Sequence, residues 1–291
     1  MKVVDRQGNY IKMNEKQDRL LTKLYATKSG RLVVKIMYRP WVTKIVGRYM
    51  NTKYSRRKIA PFINQNKISM DDYEEVNYPS YNAFFTRKII PDKRPFDSDP
   101  NILISPADAK LSCYSITKTT TLMIKDTLYT LSDLLQSETL VKTFQGGTCL
   151  LFRLTVDDYH RYHYIDTGSY VSHRYIPGKF HTVNPIANDY YPIYKQNARE
   201  YSVLQTENFG TIIQMEVGAL LVGKIRNHYD ATFIKGQEKG YFEFGGSTIL
   251  VLLQKNKAII DADIVENTKQ NKETVVLFGE TIGTKRRDED E

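Results

Sequence analysis

KGYFEFGGSTILVLLQ, residues 239–254, is the stretch around which this chain is organised. Its two alternating apolar runs, 241–244 and 249–253, are typical of strands, and the Gly245-Gly246 pair between them indicates a β-hairpin turn. A second interpretation is chemical. Ser247 follows an unhindered glycyl carbonyl, and a serine hydroxyl that attacked this carbonyl would break the chain at that point.

Charge is distributed unevenly along the 291 residues. The first 61 residues carry 16 Lys and Arg against three acids, whereas the remaining 230 carry 26 basic and 30 acidic residues. This asymmetry predicts a polyanionic partner for the N-terminal segment, either nucleic acid or an anionic membrane surface. No recognisable RNA or DNA module occurs in the sequence, so we predict no nucleic-acid partner.

Apolar residues recur at helical spacing over residues 16–50, and the clearest helix starts at Pro40. Its apolar face holds Trp41, Val42, Ile45, Val46, Tyr49 and Met50, while Lys44 and Arg48 lie on the other face. We predict that residues 1–61 form a basic amphipathic helical segment that lies in the plane of an anionic membrane. The alternative is that the apolar face packs on the protein's own core.

Short strand-like runs separated by turns fill the chain after residue 101, among them 148–154 and 211–217, and a short helix is predicted over 131–135. The predicted fold is therefore α+β, with a β-rich catalytic body over residues 62–291 that carries the N-terminal amphipathic helices. The sequence has neither a secretory signal nor a stretch apolar enough to span a membrane, which predicts a soluble or peripheral protein. Its two cysteines, Cys113 and Cys149, give no disulfide framework, as is usual in a reducing compartment.

Two of the five histidines, His160 and His163, occur in the run RLTVDDYHRYHYIDTG, residues 153–168. Their spacing puts both rings on one face of a helical turn, or on opposite faces of a strand. Paired histidines indicate metal ligation or acid-base chemistry, and histidines with a purely structural role are the alternative. No further ligand stands nearby at a characteristic zinc spacing, so we predict no metal site.

Asp108, in SPADAK (105–110), adds an acid to this set. An acid, a histidine and a serine are the parts of a nucleophile-activating relay, in which the acid orients the imidazole and the imidazole takes the hydroxyl proton. Ser247 would then attack the carbonyl that precedes it. Arg87 and Arg94, in FFTRKIIPDKRPFD (84–97), have a surface position as their simplest interpretation.

The chain resembles the phosphatidylserine decarboxylase family in a series of motifs that follow the family's order from residue 81 to residue 283. These motifs are FFTRKIIPDKRPFD (84–97), SPADAK (105–110), IKDTLYTLSDLL (124–135), FRLTVDDYHRYHYIDTG (152–168), TVNP (182–185), VGALLVGKI (217–225), KGQEKGYFEFGGST (235–248) and FGETIG (278–283). The basic segment before residue 60 is covered least well.

The resemblance implies a proenzyme that cuts itself between Gly246 and Ser247, with Asp108 and His163 activating Ser247. The products would be a β chain, residues 1–246, and an α chain, residues 247–291, whose first residue becomes a covalent pyruvoyl group. This group would form a Schiff base with phosphatidylserine and yield phosphatidylethanolamine and CO2. The resemblance assigns assistance in decarboxylation to His160 and implies no metal or diffusible cofactor. Cutting a hairpin between paired strands would cost little stability.

The resulting hypothesis is a peripheral membrane enzyme on the cytoplasmic face of the cell membrane. Its partners would be phosphatidylserine, an anionic membrane surface and the two chains of the same precursor, and a homodimer is one option for the oligomeric state. Two alternatives remain open at this point. One is a non-catalytic homologue that binds anionic lipid and never cuts at Ser247, and the other is a decarboxylase of another serine phospholipid.

Overall fold

Strands dominate the computed structural model of this chain, which describes residues 2–12, 22–37, 39–74, 76–124, 127–179, 181–182, 191, 193–219, 224–245 and 247–287. The predicted α+β class, with a β-rich body, is confirmed. The strands are β1 Lys2–Val4, β2 Ile102–Ile104, β3 Ala109–Ser115, β4 Thr121–Ile124, β5 Thr127–Thr130, β6 Thr148–Leu154, β7 Arg161–His163, β8 Gly168–Ile176, β9 Arg199–Thr206, β10 Thr211–Val217, β11 Ile225–Asn227, β12 Thr232–Phe233, β13 Glu238–Phe242, β14 Ser247–Leu253, β15 Ala258–Ile260, β16 Lys272–Val276 and β17 Thr281–Lys285.

Short helices precede these strands and lie between them in the chain. The α-helices are α1 Lys28–Met37, α2 Pro40–Met50, α3 Ile59–Asn66, α4 Tyr81–Phe85, α5 Leu131–Leu135, α6 Glu138–Thr143, α7 Ile193–Gln196 and α8 Ala262–Lys269, and two 3-10 helices span Lys53–Lys58 and Pro91–Lys93. The predicted starts of α2 at Pro40 and of α5 at Leu131 are confirmed. Pro40 suits the first turn of α2 because a helix leaves the first N–H groups unbonded there.

A nine-stranded sheet in the order β1-β16-β3-β6-β14-β10-β9-β8-β12 forms the centre of the body. Strand β14 lies in its middle, antiparallel to β6 on one side and to β10 on the other. All seven residues of β14 are buried, because side chains on both faces of this sheet are covered. A central strand of this kind reads as a continuous apolar run, as ILVLL does here.

The two faces of the sheet carry separate cores. Leu250 and Leu252 point into a cluster closed by α5, α6 and the β4-β5 pair. Ile249 and Val251 point the other way, into a cluster closed by the small sheets β11-β13-β7 and β15-β17-β2. Ser247 lies two residues before Ile249 on the same strand, so its side chain points to the same face, towards the small sheets.

The hairpin prediction for residues 239–254 is wrong. Strand β13 pairs with β7 and β11 in a small sheet, whereas β14 pairs with β6 and β10 in the large one. The chain between β13 and β14 therefore connects two different sheets, which pack face to face. A cut here leaves both strands in place because each keeps two other partners, and not because the two strands pair with each other.

The predicted helical segment, residues 1–61, begins with a strand. Strand β1 adds to the edge of the large sheet in parallel with β16, and Arg6 pairs with Asp261 at 2.7 Å and with Asp263 at 2.5 Å. Further along the segment, Val34 is buried in the core of the body. The start of the segment is thus part of the catalytic body and helices follow it. No helix within the described residues is long and apolar enough to span a membrane.

Helix α2 turns part of its apolar face outward. Trp41, Ile45 and Tyr49 are 58%, 57% and 43% exposed, whereas Met50 packs on α4. The alternative that the whole apolar face packs on the core is therefore wrong for these three side chains. A third apolar cluster, formed by Tyr81, Phe84 and Phe85 with their neighbours, joins the N-terminal helices to the body.

Candidate active site

Ser247 is the first residue of β14, and its backbone pairs with that of Leu154 in β6. The side chain is fully buried, and its Oγ finds no hydrogen-bond partner among the described residues. A buried hydroxyl without a partner is costly, and Thr248 Oγ1 shares this state, so what distinguishes Ser247 is its position directly after Gly246 in the sequence. Gly245 has φ +136°, a conformation that glycine adopts without strain. Gly246, the other residue of the predicted cut, lies outside the described residues.

His163 lies on a strand and His160 lies directly before it, so the helical-turn interpretation of their spacing is wrong. His163 ends β7, and His160 immediately precedes this strand. The two rings accordingly pack against different partners, Phe85 for His160 at 4.0 Å and Phe278 for His163 at 3.6 Å between ring centroids.

His160 is buried, with its Nδ1 2.9 Å from the carbonyl oxygen of Asp158. A carbonyl can only accept, so Nδ1 carries the proton and Nε2 holds a lone pair. This Nε2 is buried and has no partner among the described residues. Burial lowers the pKa of His160 to about 3, so the ring is neutral at physiological pH.

The chain that leads to Ser247 passes His160 closely. The N–H of Phe242 donates to the carbonyl oxygen of His160 at 2.9 Å, and the Phe244 ring lies 5.4 Å from that of Phe85. Asn82 Oδ1 accepts from the N–H of Phe244 at 2.9 Å and fixes the same segment from the other side. His160 is thus held against the segment that runs into the predicted cut.

His163 shows the same tautomer in a different setting. Its Nδ1 lies 3.3 Å from the carbonyl oxygen of Pro106, and burial lowers its pKa to about 4. The lone pair is again on Nε2. Glu238 lies directly across from His163 in the β13–β7 ladder, and its carboxylate favours the protonated ring.

Asp108 lies close to His163 but does not bind its ring in the described part of the chain. Its Oδ2 accepts from Arg94 Nη2 at 3.1 Å, and its Oδ1 accepts from the N–H of Phe278 at 2.7 Å. Burial raises the pKa of Asp108, while Arg94 and the Phe278 N–H act against that shift. The predicted acid-to-imidazole contact is therefore replaced: Pro106 orients the ring, and Phe278 joins the ring to the acid.

Sequence reasoning missed three charged residues of this region. Arg94 pairs with Asp108, and Glu238 faces His163 while accepting from Arg161 at 2.8 Å. Arg87 is 1% exposed, and its guanidinium lies 4.2 Å from the Tyr73 ring. The surface interpretation of both arginines is wrong. The motif FFTRKIIPDKRPFD, residues 84–97, was the available signal for the two arginines. Only the packing shows which residues they contact.

Arg87 also has unused hydrogen-bonding capacity. Its Nη2 donates to Tyr73 Oη at 3.2 Å, while Nε and Nη1 have no partner within the described residues. Its positive charge acts to lower the pKa of His160 further. Among the described residues, no three His, Cys, Asp or Glu side chains form a group that could hold a metal ion.

Comparison with known proteins identifies the family. The phosphatidylserine decarboxylase family model matches residues 81–284. Phosphatidylserine decarboxylase proenzyme 2 of Clostridium acetobutylicum is 50% identical over 261 residues, which cover 89% of this chain and 90% of the relative. The phosphatidylserine decarboxylase proenzymes of Clostridium novyi and Ruminiclostridium cellulolyticum are 40% and 41% identical, over 92% and 91% of this chain and 93% and 91% of their own lengths.

The fold, the buried serine with its neutral histidines and these matches define an enzyme of the carboxy-lyase class. The chain belongs to the phosphatidylserine decarboxylase family. The family expected from the motifs is thereby confirmed.

Proposed function

We propose that this protein converts phosphatidylserine to phosphatidylethanolamine and CO2, after its precursor cuts itself between Gly246 and Ser247 and turns Ser247 into a pyruvoyl group. The observation that supports the cut best is the buried Ser247 hydroxyl, which lacks a hydrogen-bond partner among the described residues. His160 and His163 are both neutral and carry their lone pairs on Nε2, as a general base requires.

In the proposed cut, Ser247 Oγ attacks the carbonyl carbon of Gly246 while His163 Nε2 takes the hydroxyl proton. That proton passes to the departing amide nitrogen of Ser247, and an ester replaces the amide. Loss of the Ser247 α-proton then expels the Gly246 carboxylate and leaves a dehydroalanine. Its hydrolysis releases ammonia and leaves the pyruvoyl group. Glu238 supports the step because it stabilises the protonated ring of His163.

Residue 247 fits the role of cofactor carrier because its strand is held on both sides by the large sheet. A pyruvoyl group there supplies a ketone that combines with the substrate amine and takes up the electron pair left as carbon dioxide departs. The lone pair of His160 Nε2 would take a proton from the substrate ammonium when the amine reacts, and would return it to the product after CO2 departs. Phe85 and Phe244 would keep water away from this step.

The membrane is the proposed location of the substrate. Trp41, Ile45 and Tyr49 are exposed on one helix, within a segment that is rich in Lys and Arg. An exposed apolar stripe beside basic residues favours binding to an anionic membrane surface, which phosphatidylserine itself provides. We infer peripheral attachment through residues 1–61, on the cytoplasmic face of the membrane.

The purified chain incubated with phosphatidylserine vesicles tests this proposal through two readouts, the chain masses and the CO2 released. The wild type should give two chains and CO2, whereas Ser247→Ala should give one chain and no CO2. Thr248→Val is the matched control, since Thr248 also has a buried hydroxyl without a partner in the described chain but points to the opposite face. An uncut Thr248→Val, or a cut Ser247→Ala, would contradict the assignment.

A further inference from the structure

A cavity of about 820 Å³ lies between helix α2, the end of β8 and the start of β11. Lys44, Gly47 and Arg48 of α2 line one side of it. Lys224 and Glu243 line the side nearer the predicted cut, since Glu243 comes directly before Phe244. The cavity is thus bounded by the helix with the exposed apolar side chains and by the segment that runs into Ser247.

The charges around this cavity are unbalanced. Arg226 pairs with Glu243 at 2.8 Å, so the acid in the lining is already neutralised. The side chains of Lys44, Arg48 and Lys224 form no hydrogen bond or ion pair within the described residues. Lys44 and Arg48 stand one helical turn apart, where like charges repel. An anion in the cavity would relieve this repulsion.

Gly47 keeps the wall of the cavity open. It lies in the interior of α2, where glycine weakens a helix, and a Cβ at this position would meet no atom within 4 Å. Packing therefore does not require glycine here. Its missing side chain instead leaves room between Lys44 and Arg48 for a ligand to approach the helix.

Hydrogen bonds connect the cavity to the proposed active site. Asn51, another lining residue, accepts from Asn82 Nδ2 at 3.1 Å, and Asn82 Oδ1 accepts from the N–H of Phe244 at 2.9 Å. Beside the cavity, α2 exposes Trp41 and Ile45, since Arg48 follows Trp41 by two helical turns and Ile45 by three residues. A ligand in the cavity would therefore have one end towards residue 247 and the other towards the exposed apolar side chains.

We propose that this cavity holds the phosphodiester of the substrate phospholipid between Lys44, Arg48 and Lys224. The serine moiety then extends towards residue 247, and the acyl chains lie over Trp41 and Ile45. This inference rests on the proposed function, because it takes the substrate to be a serine phospholipid. It adds a phosphate subsite, assigned to named residues, that is separate from the histidines and the serine.

The test compares KM and kcat for dihexanoylphosphatidylserine below its micelle concentration, so that membrane charge does not contribute. The variants are Lys44→Gln/Arg48→Gln, Lys224→Gln and Gly47→Leu, and the control is Lys255→Gln/Lys257→Gln, at the far end of β14. All should cut themselves like the wild type. We expect KM to rise about tenfold or more in the double variant, with less effect in the single ones, while kcat stays within about twofold. The control should match the wild type.

An unchanged KM in all three cavity variants, or an equal rise in the control, would overturn the proposal.

A binding measurement separates the phosphate-subsite proposal from the proposed function. The uncut Ser247→Ala protein is titrated calorimetrically with dihexanoylphosphatidylserine and, in parallel, with inorganic phosphate. The lipid should bind, and bind more weakly after Lys44→Gln/Arg48→Gln. Equal binding of inorganic phosphate would make this a free-phosphate site and contradict the lipid assignment. A wild type without decarboxylation would defeat the proposed function, yet this titration would still decide on the cavity.

Discussion

His160 and His163 are three residues apart, share one tautomer and are both neutral, yet their neighbours differ. Glu238 lies across from His163 and stabilises a positive charge on it, and Asp108 with Arg94 lies behind the Phe278 ring. His160 packs on Phe85, and the Arg87 guanidinium opposes a positive charge there. Arg161 acts against Glu238 at His163, and Asp157 acts against Arg87 at His160. We propose that this difference in neighbours suits the two rings to different tasks.

From this contrast we propose a division of the steps. His163 would take the proton from Ser247 and carry the charge briefly, as the base in self-cleavage must. We propose that His160, neutral beside the segment leading to Ser247, takes a proton from the substrate ammonium on Nε2 and returns it to the product. The following experiments test this division, in order of decreasing effect.

His163→Ala should abolish the cut and leave one full-length chain after prolonged incubation, because the proposed base for the Ser247 proton is removed. Denaturing electrophoresis of the purified protein measures this. The matched control is His173→Ala, which removes an exposed histidine from β8 and should be cut normally. Two chains from His163→Ala would exclude it as the base.

His160→Ala should be cut into two chains but decarboxylate about 10²–10⁴-fold more slowly, the usual contribution of a general acid or base. Release of CO2 per mole of cut protein is the measurement. The opposite pattern, an uncut His160→Ala together with a cut His163→Ala, would interchange the two roles.

Glu238→Gln should slow the cut about tenfold, which corresponds to about 1.4 kcal/mol, because the amide no longer stabilises the protonated His163. Time courses of chain separation during refolding measure the rate. Glu207→Gln, a change of the same kind at an exposed turn, should leave the rate unaltered. An unaltered rate in Glu238→Gln would remove Glu238 from the account.

The pH dependence of stability should reflect both buried rings. Burial lowers the pKa values of His160 and His163 to about 3 and about 4, whereas both would titrate near 6.5 in the unfolded chain. The unfolded state therefore binds protons first as the pH falls, so the free energy of unfolding decreases from about pH 6.5 downward. We expect a loss of about 2 kcal/mol per histidine between pH 7.5 and pH 5. Urea unfolding of Ser247→Ala and of Ser247→Ala/His160→Gln measures it, and the loss should be smaller in the second protein.

Much of the fold could be predicted from the alternation of apolar and polar residues and from the residues typical of turns. The strands Thr148–Leu154 and Thr211–Val217 and the helix Leu131–Leu135 occur at the predicted residues, because each is a short apolar run with polar or glycine boundaries. Periodicity identifies a strand but not its partners. The hairpin prediction failed for this reason, since β13 and β14 pair with strands that are distant in sequence.

The sequence offers candidate site residues but not the contacts that they make. Asp108, His160, His163 and Ser247 were chosen from the sequence, and all four are buried. The contacts that orient them come from residues without a local signal: the Pro106 carbonyl, the Phe278 ring and N–H, and the Phe85 ring. Such contacts depend on how distant segments pack, which residue spacing alone cannot show.

The central claim is that Ser247 becomes the terminal group of a new chain, and intact mass under denaturing conditions tests it most directly. The account expects two chains, residues 1–246 and 247–291, with the short chain lighter by one ammonia than it would be with a serine terminus. A single uncut chain that decarboxylates phosphatidylserine at the full rate would contradict it.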